Sequence, residues 1–251
     1  MLIAPAHTDH WQIAAELRNL AMRHTTAPRY LLAYEICALL NFMPDLQQRF
    51  LIDTLWNTGA RINEALALTA TSFELDGSRD FVVLRTLKQR QRGRGRPRRD
   101  EALNRLVPLL DPLYAQRARE FIASFRPKAG GSLWPVTDQT VRNWLKAAQE
   151  RAGQAGLRFP MPVTPHVFRH SFAMHLLLQG NLHIKRLQAY LGHRSLRSTE
   201  IYTQVLALDA VASEIGLSFT VPLAQNPLLP GLQLLGLGSQ TAPERQIPAP
   251  G

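Results

Sequence analysis

The chain has 251 residues, 45% of them hydrophobic, and a formal charge of +10. That length gives one large domain or two small ones with a sizeable core. The lone cysteine, Cys37, excludes an internal disulfide framework, and no apolar run approaches the ~18–20 residues of a membrane span.

The predicted elements are mostly helical. Residues 9–24 carry Trp11, Ile13, Ala14, Leu17, Leu20 and Ala21 near helical spacing, with Asp9 as a cap. A second helix is expected over 30–42, ended by Pro44, and a third from the cap Asp45 to about Trp56. After Gly59 a short helix carries Arg61, Glu64 and Leu66. The β-branched run 81–86 and the segment 103–109 read as paired strands of a long hairpin. Its tip contains Gly93, Gly95 and Pro97, which argue against helix. Between Arg85 and Arg105 stand eight arginines and Lys88 against Asp100 and Glu101, so this segment holds +7 of the +10. Such a block points to a polyanion, most commonly nucleic acid, the alternative being a disordered basic arm. Helices follow over 113–124, 137–153, 165–178, 183–190 and 196–206, and a further one over 208–215. Thr164-Pro165 combines a capping hydroxyl with proline at the first helical position. The fold class expected is mainly α with one small antiparallel β-sheet. The organisation expected is a short N-terminal helical segment (1–44), a catalytic domain (45–218) and a Pro/Leu-rich tail (219–251). His7, Asp9 and His10 do not suit a signal peptide, so a soluble, cytoplasmic protein without a membrane partner is expected.

Six side chains carry chemistry when taken together: Arg61, Lys88, His166, Arg169, His193 and Tyr202. Attack on a phosphodiester creates a doubly charged, five-coordinate phosphorus. Two guanidiniums grip its nonbridging oxygens in a way that lysine does not. His166 and Arg169 share a face at the start of a helix, where free amides and the dipole favour an anion. Tyr202 is the candidate nucleophile, its phenol lowered by nearby cations. Tyr30, Tyr34, Tyr114 and Tyr190 better fit core roles. Lys88 stands among arginines, and an ammonium yields a proton where a guanidinium does not. It is the candidate general acid, or else one more phosphate contact. Glu64, one turn after Arg61, reads as a supporting, orienting partner. His193 after Gly192 reads as catalytic or as a helix cap. His166 and His170 at i,i+4 have Val167 where a zinc protease has glutamate, so no metal site is expected. His170 and His175 read as structural. Arg85, Arg90, Arg92, Arg94, Arg96, Arg98 and Arg99 are the candidate DNA-binding cations. Cys37, in an apolar run, reads as an inert thiol.

The pieces TGARINEALAL, the hairpin lysine, HVFRHSFAMHLL and LGHRSLRSTEIYTQV together resemble the tyrosine recombinase (phage integrase) family, over about 45–206. In compactness the chain resembles short plasmid-type resolvases. The resemblance implies the integrase catalytic-domain fold, with Arg61 and Arg169 as the family's arginines, Lys88 as its hairpin lysine, His166 and His193 as its histidines and Tyr202 as its nucleophile. The implied reaction forms a 3′-phosphotyrosyl link and frees a 5′-hydroxyl, without metal, ATP or other cofactor. The implied partners are double-stranded DNA with a specific recombination site and three further copies of the chain, a homotetramer on paired sites, with room for accessory proteins. Only 60 residues precede Arg61, so the usual N-terminal core-binding domain is expected to be truncated or missing. The arginine-rich hairpin is expected to supply grip in its place, and the tail to pack on a neighbouring subunit. Plasmid multimer resolution or DNA inversion leads, with integration of a mobile element close behind. A type IB topoisomerase and a DNA-binding protein without cleavage activity are the rivals from other classes.

Overall fold

The structure is a computed structural model describing residues 7–85, 104–125, 130–203, 220, 221 and 226. In chain order it comprises α1 (His7–His24), α2 (Ala33–Asn41), α3 (Leu46–Thr58), α4 (Ile62–Leu66), a 3₁₀ turn (Ala70–Ser72), β1 (Phe73–Glu74), β2 (Phe81–Arg85), β3 (Asn104–Pro108), α5 (Pro112–Phe125), α6 (Asp138–Gln154), α7 (Pro165–Leu178), α8 (Ile184–Leu191) and α9 (Arg197–Glu200).

At the centre lies α3, buried on every side from Phe50 to Thr58. Asp45 caps it by accepting from Gln48 N at 3.0 Å, as its sequence position predicts. Its ring Phe50 packs among Phe73, Tyr114, Phe121 and Trp134. Two of the polar groups that α3 buries meet partners on α5: Thr54 the Tyr114 hydroxyl at 2.9 Å, Asp53 Arg117 Nε at 2.8 Å. Against α3 lies α7, likewise mostly buried. The close approach is possible because Gly59 ends α3 in the left-handed region (φ 59°); a Cβ there would sit 2.3 Å from the Phe172 ring.

The sheet is antiparallel in the order β1-β2-β3, with Val82 opposite Val107 and Leu84 opposite Arg105. Strand β1 was not foreseen; two residues are too few to show an alternating pattern. The hairpin tip lies outside the described residues, and so does the helix expected over 208–215.

Three local expectations need correction. Asp9 lies inside α1, which begins at His7. The second helix starts at Ala33, not Tyr30, because Leu31 N is drawn to Ser171 Oγ at 2.8 Å and Leu32 N to Glu35 at 2.8 Å. Thr164 makes no side-chain cap, although Pro165 does occupy the first turn of α7. The same core includes α1 and α2, tied by the buried Arg18–Glu35 ion pair and by Trp11 edge-on to Tyr34. Among the described residues, no helix is long and apolar enough to cross a membrane.

Candidate active site

Four pieces of chain converge at one end of α7. Arg61 leaves the α3–α4 turn as the residue just before α4. Its side chain is 41% exposed, and its Nη1 meets Glu64 Oε1 at 2.9 Å. Glu64 also reaches back to Arg61 N at 2.8 Å, fixing the entry to α4.

Arg169, on the buried face of α7, ties two loops together. Its Nη1 donates to Gly59 O at 2.6 Å, two residues before Arg61. Its Nη2 donates to Leu191 O at 2.5 Å, two residues before His193. One planar guanidinium thus sets the spacing of the loops that carry the other two residues, which a point-like ammonium would not do. Burial first, then Arg61 and Arg105, disfavours its positive charge.

Gly192 ends α8 in the left-handed region (φ 63°), as the Leu-Gly-His order predicts, and turns the chain to present His193. His193 Nδ1 lies 2.9 Å from the buried Thr199 hydroxyl, while its carbonyl accepts from Gln188 at 3.0 Å. Burial, then Arg169, Arg61 and Arg105, pushes its imidazole down to about 4. His166 is exposed at the start of α7, and its pKa is lowered by burial and by Arg169 and Arg61.

Tyr202 follows α9 and is only 1% exposed. It is as buried as Tyr30 and Tyr114, so burial does not separate the candidate nucleophile from the core tyrosines. The expectation that cations lower its phenol is corrected: burial outweighs Arg169 and Arg61 and pushes it up to about 12. Its hydroxyl lies 2.9 Å from His170 Nδ1. His170, read from sequence as structural, is therefore in direct contact with the candidate nucleophile.

Arg105 was missed. From β3 its Nη1 and Nη2 donate to the two oxygens of Glu64 at 2.7 and 2.6 Å, and its Nε donates to Tyr190 O at 2.9 Å. It links sheet, α4 and the end of α8 in one network. A signal was present: in period two with Val107 it faces the core at 8% exposure, while its neighbour Leu106 is 60% exposed. An arginine on the inward face of a strand needs a buried carboxylate, and Glu64 supplies it. Burial acts to raise the Glu64 pKa, but the bonds and charge of Arg105, with Arg61, overcome it and hold the carboxylate ionised.

Two guanidiniums, Arg61 and Arg105, thus share the carboxylate of Glu64, while Arg169 is bonded to backbone carbonyls and feels that carboxylate only at longer range. The surplus positive charge suits an entering phosphate. Lys88, Arg90, Arg92, Arg94, Arg96, Arg98 and Arg99 lie outside the described residues; Arg85 is exposed at the end of β2, opposite Asn104. Among the described residues, no group of three or more His, Cys, Asp or Glu is placed to hold a metal ion.

The phage integrase family profile matches residues 29–208. The chain belongs to that family. It is 46% identical over 224 residues to a protein named resolvase from Escherichia coli, covering 83% of this chain and 85% of the relative. It is 48% identical over 207 residues to a probable site-specific recombinase of the afa region of Escherichia coli, covering 82% of each. Among solved structures it resembles the XerH site-specific recombinase bound to its difH substrate before cleavage, with TM-score 0.51 and 24% identity over 73% of this chain and 52% of that one. That likeness shows the fold, the tyrosine recombinase catalytic domain. The family breaks and rejoins DNA strands, and this chain is a tyrosine recombinase with resolvase and site-specific recombinase relatives.

Proposed function

We propose that the chain is a site-specific DNA recombinase that resolves multimers of a plasmid or mobile element, or inverts a DNA segment, through Tyr202. The observation that carries this is the Arg169 guanidinium, which brackets the Arg61 and His193 loops in the same site as Tyr202. Arg61 and Arg169 bind the nonbridging oxygens of the scissile phosphate. The Tyr202 oxygen bonds to phosphorus, its proton passing to the His166/His193 side of the site. The bond from phosphorus to the 5′-oxygen breaks, and that oxygen takes a proton from Lys88. A 5′-hydroxyl, from the same or a partner duplex, then attacks the phosphotyrosyl link and returns the phenol. Phosphate-ester bond energy is conserved, so the cycle needs no ATP, and the arginines supply the charge stabilisation for which other phosphoryl transfers use a metal.

Arg85 and the hairpin arginines Arg90, Arg92, Arg94, Arg96, Arg98 and Arg99 grip the DNA backbone. Four copies act on two paired sites, in the cytoplasm with the plasmid or nucleoid. The relatives at 46% and 48% identity bear resolvase and recombinase names, which favours resolution or inversion over integration. The test is a nicked, end-labelled duplex spanning the DNA on either side of the gene. The wild-type chain is expected to retain label under denaturing conditions, and Tyr202→Phe to retain none. Equal labelling of both would overturn the reading. Relaxation of any supercoiled plasmid without such a site would instead identify a type IB topoisomerase.

A further inference from the structure

We propose that His170 is the positioning residue of the nucleophile: its Nδ1 holds the Tyr202 hydroxyl and aims the phenol within the arginine cluster. The inference rests on the recombinase reading for its functional meaning and on the geometry for its substance.

A hydroxyl at 1% exposure must find a partner in the protein, and the bond of 2.9 Å to His170 Nδ1 provides it. The rings meet with centroids 5.7 Å apart at 59°, so the nitrogen lone pair, not the ring face, addresses the phenol. His170 follows Arg169 directly on α7, and Arg169 is bonded at once to the Gly59 and Leu191 carbonyls. A phenol bound to His170 is therefore held in a fixed relation to the same guanidinium that spaces the Arg61 and His193 loops. His166, one turn earlier on α7, stands edge-on to His170 with centroids 5.1 Å apart at 85°. The pair divides by depth: His166 is exposed, and His170 is half-buried against the phenol.

The direction of the bond follows from the two groups. Burial pushes Tyr202 up to about 12, so the phenol keeps its proton and donates. Burial, then His166 and Arg169, holds His170 down to about 4, so at neutral pH the imidazole is uncharged. Its one proton then lies on Nε2 and its Nδ1 accepts. With values so far apart the proton does not transfer in this state. His170 thus orients the nucleophile without deprotonating it, and the bond must yield as phosphate arrives.

The test uses the full chain. Long-range ¹H–¹⁵N NMR should show His170 as the Nε2–H tautomer with an unprotonated Nδ1, whose resonance moves in Tyr202→Phe. An Nδ1–H tautomer, or no movement, would overturn the proposal. In single-turnover reactions on the flanking-DNA duplex, His170→Phe should slow covalent adduct formation by about 30–100-fold, the scale of an angstrom-level misplacement. His170→Asn, whose amide oxygen sits near the position of Nδ1, should stay within about fivefold of wild type, since it restores that placement. DNA affinity should be the same in all three. Adduct formation by His170→Phe at the wild-type rate, or by His170→Asn as slowly as His170→Phe, would sink it. Should His170→Phe fail to fold, the asparagine variant and the tautomer decide. A wild-type chain that forms no adduct would count against the recombinase reading, while the NMR result still judges His170.

Discussion

Glu64 has 3% of its surface exposed, yet it is bonded by Arg61 and Arg105. Removing one partner of a buried ion pair leaves the other desolvated and uncompensated, at a cost of about 3–5 kcal/mol. Glu64→Gln is expected to cost an amount of that order, because Arg105 is 8% exposed and an amide oxygen does not balance it. Urea melts at neutral pH check this, and a loss below about 1 kcal/mol would show that Arg105 finds other partners. Acid acts on the same residues. The folded pKa of Glu64 lies below its ordinary value, so its contribution is present above that ordinary value and is lost as pH falls through the folded one. The histidines act earlier. His170 and His193 fall from an ordinary 6.5 to about 4, so between those values the unfolded chain binds more protons than the folded one. Unfolding free energy should therefore rise steadily from about pH 4 to 6.5, and the slope should flatten in His170→Asn. A slope unchanged by that substitution would mean that His170 titrates normally in the fold.

Between α3 and α7, one glycine joins conformation, packing and chemistry. Gly59 has φ 59°, faces the Phe172 ring where a Cβ would come within 2.3 Å, and offers its carbonyl to Arg169 at 2.6 Å. Gly59→Ala combines left-handed strain with overpacking and should destabilise by about 2–4 kcal/mol. It should also slow adduct formation, because the carbonyl that spaces Arg61 from Arg169 moves. A melt that drops while adduct formation in the surviving folded protein stays at the wild-type rate would separate the two roles. The starts of α3 and α7 were legible from the local signals Asp45 and Pro165, and the ranges expected for α5 and α6 lie within a residue of those observed. The hairpin strands were legible from β-branched runs and glycine-rich punctuation. Arg61, Arg169, His193 and Tyr202 were legible as candidates because each stands in a short local motif, and Arg169 is bonded to the loops just before Arg61 and His193. What sequence did not reveal depends on contacts between elements far apart in the chain. Arg105 meets Glu64 across 41 residues, Leu31 is pulled from helix by Ser171 across 140, and His170 finds Tyr202 across 32. No local pattern encodes such pairings, although the inward place of Arg105 on β3 was a usable clue.

Over the whole molecule, two further segments can be tested for a part in assembly and in DNA grip. Described residues of the tail lie against α2, α3 and α5: Thr220 donates to Asp111 at 2.8 Å, and Asn226 donates to Tyr34 O at 3.1 Å. Thr220 and Val221 line a cavity of about 470 Å³ with Cys37, Phe50, Asp53 and Phe121. Ending the chain at Ser218 should lower the melting temperature by exposing that lining, and assembly on DNA tells whether the tail also bridges subunits. The charge is concentrated elsewhere, in the arginine-rich hairpin. Deleting residues 91–98 removes Arg92, Arg94, Arg96 and Arg98 but leaves Lys88 and the strands β2 and β3 in place. Each phosphate contact releases about 0.9 counterion from duplex DNA, so four lost contacts should flatten the log affinity–log salt slope by up to about 3–4. Filter binding across a salt series measures this directly. Affinity should fall most at low salt and converge with wild type as salt rises, because the lost contribution is electrostatic. Parallel lines for deletion and wild type would mean that these arginines do not touch the backbone, and the grip would then have to come from the surface around Arg61, His166 and Arg85.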